Sequence, residues 1–255
     1  MRADLLLVEK KLVASRTQAQ DLIASGYVFV KKNNQDVVVL KSNQQISEAD
    51  QDSIYVQKNE IQKYVSRGGL KLERALAHAK INVEGKTALD VGQSTGGFTD
   101  CLLHQNIKTV VGIDVGHDQL HEKVKANVNV VPFEGLHIKD LADHAAFQKV
   151  VPKGGFDLLV ADVSFISLTK VMPFVKQYLK LNGDYLLLVK PQFELTANDL
   201  DRNGVVKNVK KYSLVQSVIE QEARQQFGNI IDYFESETPG KDGNQEFFIY
   251  GQKTI

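Results

Sequence analysis

The sequence predicts an α/β protein, a mostly parallel sheet covered by helices, preceded by a small α+β unit. Three observations lead there. Short apolar runs alternate with helix-period segments from residue 70 to residue 251. A glycine-rich turn, Asp90-Val-Gly-Gln-Ser-Thr-Gly-Gly-Phe-Thr-Asp100, joins the first of those runs to a helix. Residues 1–60 follow another order, helices first and then short strands.

The front unit begins with Leu5, Leu6 and Val8, then breaks at Lys11 to Ala14. Ser15 is placed to cap a helix running to Ser25, which Gly26 closes. Tyr27 to Val30, Val37 to Leu40 and Ser53 to Val56 read as strands, the first two joined by a turn at Lys31-Lys-Asn-Asn. Residues 57–64, polar and without period, read as a connector, so domains of 1–60 and 61–255 are expected.

In the larger unit Leu70, Leu72, Leu76 and Ala79 mark a helix. Strands follow at Thr87 to Asp90, Thr109 to Asp114, Asn127 to Val131, Asp157 to Asp162, Asp184 to Lys190, Ile230 to Ser236 and Glu246 to Gly251. Helices fall at Gly97 to Gln105, Gln119 to Lys125, Leu168 to Leu181 and Lys207 to Phe227. The last two strands have only a loop around Pro239 and Gly240 between them, which predicts antiparallel pairing at one edge.

Composition excludes several classes. The single cysteine, Cys101, allows neither an internal disulfide nor a cysteine zinc cluster. His117 and His121 stand four apart on an expected helix but lack a third ligand, so no metal is expected. No apolar run reaches the roughly 18 residues of a membrane span, and Met1-Arg-Ala-Asp-Leu does not read as a secretory leader. A soluble cytoplasmic protein is expected, with no membrane partner. Net charge is zero, yet residues 1–80 carry 13 Lys or Arg against 9 Asp or Glu, and the remainder 18 against 22. This mild asymmetry points to an anionic partner near the front.

The glycine turn exposes backbone N–H groups at a helix start, where an anionic group of a cofactor can sit. A tight turn in any α/β protein would look the same, and on the glycines alone the two readings stand level. The spacing is neither G-x-G-x-x-G nor a phosphate loop, whereas Asp90 and Asp114, closing successive strands, suit S-adenosylmethionine. Further groups reach the same strand ends: Asp162 in Leu158-Leu-Val-Ala-Asp-Val-Ser-Phe165, and Lys190 in Leu186-Leu-Leu-Val-Lys-Pro-Gln-Phe-Glu194. A lysine closing an apolar run and stiffened by Pro191 faces desolvation that makes a neutral amine accessible; a lysine that merely reaches solvent would fit too.

Lys71, in Val65-Ser-Arg-Gly-Gly-Leu-Lys71, and Glu246, opening the last strand, complete an ordered set. Lys71, Asp162, Lys190 and Glu246 resemble the Lys-Asp-Lys-Glu tetrad of the FtsJ-like ribose 2'-O-methyltransferases. Ser-Arg-Gly-Gly-Leu-Lys-Leu, Ser-Thr-Gly-Gly-Phe-Thr-Asp-Cys-Leu-Leu, Asp-Val-Ser-Phe-Ile-Ser-Leu and Lys-Pro-Gln-Phe-Glu are similar to the TlyA haemolysin-type family. That family carries such an enzyme behind a small RNA-binding unit. The front, with Ser15-Arg16, Ala19, Leu22-Ile23, Gly26, Val28 and Val30, resembles the alpha-L RNA-binding motif.

The resemblance implies a Rossmann-like seven-stranded S-adenosylmethionine-dependent methyltransferase acting on a cytidine ribose of ribosomal RNA. It implies cofactor contacts at Asp90, Gly92, Ser94, Gly96, Gly97, Phe98 and Asp114, and catalytic roles for the tetrad. Lys190 would take or steer the hydroxyl proton, with Asp162 and Glu246 orienting the two lysines. Phosphate contacts are expected from Lys10, Lys11, Arg16, Lys31, Lys32 and Arg67. The chain departs from the family at Gln93, where alanine is usual, at Lys32-Asn33 in place of an Asn-Gly turn, and at Glu134-Gly-Leu-His, which lacks the usual arginine. Two other readings stay open: a non-catalytic RNA-binding or assembly factor, and a membrane-active haemolysin.

Overall fold

The computed structural model describes residues 1–13, 15–24, 26–32, 35–57, 63–238, 240 and 243–255. The chain divides into two compact units, Met1–Arg67 and Gly68–Ile255. The expected end of a helix at Ser25, the turn at residues 33–34, most of the connector (residues 58–62) and Pro239 of the last loop lie outside the described residues.

In the first unit, helices α1 (Ala3–Glu9) and α2 (Arg16–Ala24) precede strands β1 (Val28–Lys32), β2 (Gln35–Val38) and β3 (Ile54–Val56). The Ser15 hydroxyl accepts a hydrogen bond from Gln18 N at 3.2 Å, so it caps α2 as its position in the sequence suggests. Strand β1 is central, antiparallel to both neighbours, in the order β2-β1-β3. Leu6, Leu7, Leu22, Ile23, Val28, Val30 and Ile54 form one buried cluster beneath it.

The second unit opens with α3 (Gly68–Ala79) and continues β4 (Thr87–Val91), α4 (Gly97–His104), β5 (Thr109–Asp114), α5 (Glu122–Lys125) and β6 (Val130–Glu134). Then come α6 (Ala145–Val150), β7 (Phe156–Ala161), α7 (Met172–Val175), β8 (Leu179–Val189), α8 (Pro191–Glu194), α9 (Lys211–Phe227), β9 (Gly228–Glu235) and β10 (Phe247–Lys253). The sheet order is β6-β5-β4-β7-β8-β10-β9, parallel from β6 to β8. Strand β10 runs antiparallel to both β8 and β9, which puts the last two strands together at one edge as expected. The central strands read as continuous apolar runs because helices cover both faces; Tyr185 to Val189 are all buried.

Several elements differ from the sequence reading. The helix expected over Leu168 to Leu181 is a 3-10 turn (Leu168–Lys170), the single turn α7 and a second 3-10 turn (Lys176–Tyr178). Strand β8 already begins at Leu179, where it pairs with Phe156, and an irregularity follows before Leu158 meets Asp184. The third parallel strand runs through Pro132 to Glu134 instead of stopping at Val131, which an edge strand tolerates because one N–H row faces no partner. Helix α6 is unanticipated; the His144 ring accepts a bond from Phe147 N at 3.1 Å and supplies a cap that its sequence does not advertise.

Candidate active site

The strand order reverses between β5 and β7, on either side of β4, and a crevice opens there at the carboxyl ends. It is a cavity of about 420 Å³, walled by Val91, Gly92 and Ser94 at the end of β4, by Asp114 to Gly116 at the end of β5, and by Asp162 to Ile166 after β7. Leu136, His137 and Ile138, which follow β6, close one side together with Val171.

The loop after β4 needs its glycines for shape. Gly92 has φ +82°, and a Cβ on it would lie 2.7 Å from the Asp162 carbonyl oxygen, so the loop and the segment after β7 meet backbone to backbone. Gly96, φ +89°, starts α4 where a Cβ would sit 2.8 Å from Leu120. The Asp114 carboxylate is fixed by two amides, Ser94 N to Oδ2 at 2.8 Å and Gly116 N to Oδ1 at 2.7 Å. Each oxygen retains a lone pair for a hydroxyl in the cavity.

Among the other expected cofactor positions, Gly92, Ser94 and Asp114 line the cavity, while Gly96 and Gly97 lie beneath the loop as the start of α4. Phe98 points into the core, its ring 6.4 Å from that of Phe248. Asp90 is fully buried and faces α4, where its Oδ2 accepts the Thr99 hydroxyl at 2.6 Å; Thr99 in turn accepts from Gln93 Nε2 at 2.9 Å. Burial pushes the Asp90 carboxyl up to about 7 despite the Thr99 bond, with the Asp162 and Asp114 carboxylates adding to the rise.

The four expected catalytic residues form two ion pairs. Lys190 Nζ stands 2.5 Å from Asp162 Oδ1 and donates to Ser164 Oγ at 2.9 Å. Lys71, on α3, pairs with Glu246 at the start of β10, both side chains almost without exposure. Strand register relates the pairs: Phe247 is opposite Val189, so Glu246 and Lys190 stand one step past the end of the same ladder. Two acids thus neutralise two ammonium groups at the carboxyl end of the sheet, next to the cavity that Asp162 and Ser164 line.

A glycine loop at a strand-order reversal, with paired lysines and acids beside it, is the frame onto which one family maps: the FtsJ-like methyltransferase family matches residues 64–253. The chain belongs to that family. Relatives extend the likeness across the front unit as well. The chain is 33% identical over 249 residues to the 16S/23S rRNA (cytidine-2'-O)-methyltransferase TlyA of Mycobacterium tuberculosis, covering 98% of this chain and 88% of that one. It is 40% identical to hemolysin A of Brachyspira hyodysenteriae, over 82% of this chain and 81% of the other. A solved structure of a hemolysin-named protein from Streptococcus thermophilus superposes with a TM-score of 0.74 at 31% identity, over 100% and 88% of the two chains. Among the described residues no helix is long and apolar enough to cross a membrane.

The FtsJ-like unit also presents residues that the sequence reading passes over. Phe165 is 91% exposed at the cavity wall, with φ +63°, and its ring lies 5.1 Å from that of Phe193. Ser164 meets Lys190 directly. Both lie within the quoted Asp-Val-Ser-Phe segment, so a signal existed, but nothing in the sequence says which of its side chains faces the cleft. His137 occupies the segment where the family has its arginine-bearing sequence; its Nδ1 accepts from Lys139 N at 3.1 Å.

In the front unit, three expected phosphate contacts hold internal carboxylates: Arg16 with the buried Asp4 at 2.8 Å, Lys10 with Asp52 at 2.7 Å and Lys32 with Asp50 at 2.8 Å. Burial would raise Asp4, but the Arg2 and Arg16 guanidinium groups and Gln20 outweigh it and hold the carboxyl well below its usual range. Lys11 and Lys31 are exposed and make no ion pair among the described residues; Arg67 is half-buried.

Proposed function

We propose that this protein methylates the 2'-hydroxyl of a cytidine ribose in ribosomal RNA, with S-adenosylmethionine as donor. The observation that carries the reading is the Lys190–Asp162 pair at the wall of the glycine-loop cavity. The cavity suits the donor in size and lining. Gly92 lets backbone approach where any side chain would collide, Asp114 offers two oriented oxygens to ribose hydroxyls, and Leu136, Ile138, Ile166 and Val171 give an apolar slot for a flat base. S-adenosylmethionine, when bound, supplies a methyl group on an electrophilic sulfonium centre.

The chain's own residues manage the other reactant. A ribose hydroxyl is a weak nucleophile, and its proton must be accepted or directed as the new C–O bond forms. Lys190 is the group presented for that task, held by Asp162 and Ser164. Asp162 and Ser164 fix the direction from which the Lys190 Nζ meets the hydroxyl. Lys71 and Glu246 set the second boundary of the same sheet end. Exposed Phe165 offers a stacking face for the target base.

The front unit, residues 1–60, is the RNA-binding domain in this reading. Lys11 and Lys31 are available directly. The pairs of Lys10 with Asp52 and Lys32 with Asp50 lie at the surface, where water and salt screen them, so a phosphate can displace their carboxylates. In this reading the protein works in the cytoplasm, where its ribosomal substrate is found. Incubation with methyl-labelled S-adenosylmethionine and each purified ribosomal subunit, followed by nucleoside mapping, tests the reading. Label in 2'-O-methylcytidine is expected; label on a base, or on neither subunit, would overturn it.

A further inference from the structure

We propose that Glu194 is a positioning residue for methyl transfer, tying the segment that carries Lys190 to the loop that carries Asp162 and so setting the geometry of that pair from its far end. The proposal rests on the functional reading above and adds a residue to it.

Two segments meet here. One is the six-residue loop from Asp162 to Ser167, which leaves the sheet after β7 and is anchored at its start by Asp162 N donating to Val91 O at 3.0 Å. The other is Lys190 and the single turn α8, closed by Phe193 N to Lys190 O at 2.9 Å and Leu195 N to Pro191 O at 3.1 Å. Pro191 stiffens that turn, so Glu194 stands at a fixed offset, one helical turn from Lys190.

The segments are joined at both ends. At one end Lys190 reaches Asp162 and Ser164. At the other, Glu194 Oε2 accepts the Ser167 hydroxyl at 2.5 Å and Oε1 accepts Leu168 N at 2.9 Å. Ser167 is itself the cap of the next 3-10 turn, accepting from Thr169 N at 3.1 Å. Between these ties lies Phe165, in the left-handed region that a bulky residue adopts only where its surroundings hold it, with its ring against Phe193.

Burial raises the Glu194 carboxyl, opposed by Ser167, Leu168 and Lys170, so this acid has left water for two hydrogen bonds. Removing it frees the far end of the loop, and with it the relative placement of Lys190 and Asp162, while every wall residue of the Asp114 side stays in place. Misplacement of a reacting group by about 1 Å costs on the order of a hundredfold in rate. A loss of turnover without loss of donor binding is the signature of such a role.

The test compares full-length Glu194→Ala, Glu194→Gln and Ser167→Ala proteins with the wild type. It reads kcat on ribosomal subunits, Kd for S-adenosylmethionine by calorimetry, and the melting temperature. Glu194→Ala is expected to lower kcat about 10- to 100-fold with donor Kd within about threefold. Glu194→Gln, whose amide can accept from Leu168 N and bond Ser167, should keep kcat within about threefold of wild type. Ser167→Ala should lower kcat by a smaller factor and add little to Glu194→Ala in the double variant.

Wild-type kcat in folded Glu194→Ala overturns the proposal, as does a Glu194→Gln protein as slow as Glu194→Ala. Should Glu194→Ala fail to fold, the other two variants decide: wild-type kcat in Ser167→Ala overturns the role, and a kcat loss there with Glu194→Gln active supports it. Absence of methyl transfer by the wild type would count against the functional reading itself and is distinct from these outcomes.

Discussion

Lys71 and Glu246 pair across 175 residues of sequence, the ammonium donating to Glu246 Oε2 with side chains 10% and 3% exposed. Helix α3 begins the larger unit and β10 is its last strand in the chain, so the contact closes the unit between its first and last elements. Removing one partner of a buried pair leaves the other charge uncompensated, which costs about 3–5 kcal/mol. Lys71→Met should therefore lower the denaturant midpoint strongly, and Lys71→Met with Glu246→Gln should recover much of the loss. A single variant as stable as wild type in urea unfolding would show that the pair contributes no such constraint.

For the transfer step, Lys190→Ala should leave S-adenosylmethionine affinity within a few-fold of wild type, because Asp114 and the glycine loop lie on other strands. Methyl transfer to ribosomal subunits should fall at least about a hundredfold. Retained turnover with intact binding would remove Lys190 from its assigned role.

The Gln93 carboxamide fills the place that a side chain at Gly112 would need: a Cβ there would lie 2.0 Å from Gln93 Cδ. Gly112→Ala should destabilise the protein by about 1–3 kcal/mol through overpacking. In a Gln93→Ala background the same change should cost far less, because the methyl group then enters vacated space. Additive effects of the two substitutions in chemical unfolding would refute the coupling.

Asp90 carries a pH dependence with a definite sign. Its carboxyl is raised to about 7 in the folded protein by burial, against roughly 4 in an unfolded chain. Between those values the folded state holds the extra proton, so stability falls as pH rises from about 4 to about 7 and levels off above. The slope from this group is at most about 1.4 kcal/mol per pH unit. Asp90→Asn should remove it. Urea unfolding at pH 5 and pH 8 checks this, and an equal difference between the two pH values in wild type and variant would contradict it.

In the front unit, replacing Lys11 and Lys31 together by Gln should weaken binding to ribosomal RNA uniformly and reduce the slope of log affinity against log salt by about 2. Donor affinity should not change. An unaltered slope would exclude both lysines as phosphate contacts.

Much of this was legible in the residues. Alternating apolar runs and helical segments required a helix-covered sheet because exposed apolar strands would be costly, and the absence of a helix between the last two strands required an antiparallel pair. Asp90-Val-Gly-Gln-Ser-Thr-Gly-Gly marked a cofactor-type loop because glycine is tolerated where backbone must approach backbone. Local chemistry of this kind is written in neighbouring residues.

Tertiary structure alone decided the rest. Leu168 to Leu181 carries a helical period, yet packing of Leu179 beside Phe156 makes its end a strand, since burial against a neighbouring strand outweighs a weak local preference. That Asp90 faces Thr99 and not the cavity, that Lys190 takes Asp162 while Lys71 takes Glu246, and that Glu194 reaches Ser167 all depend on where distant strands end. Sequence names the charged groups; their partners follow only once the sheet has fixed distances, because ion pairs and hydrogen bonds act over a few ångströms and not along the chain.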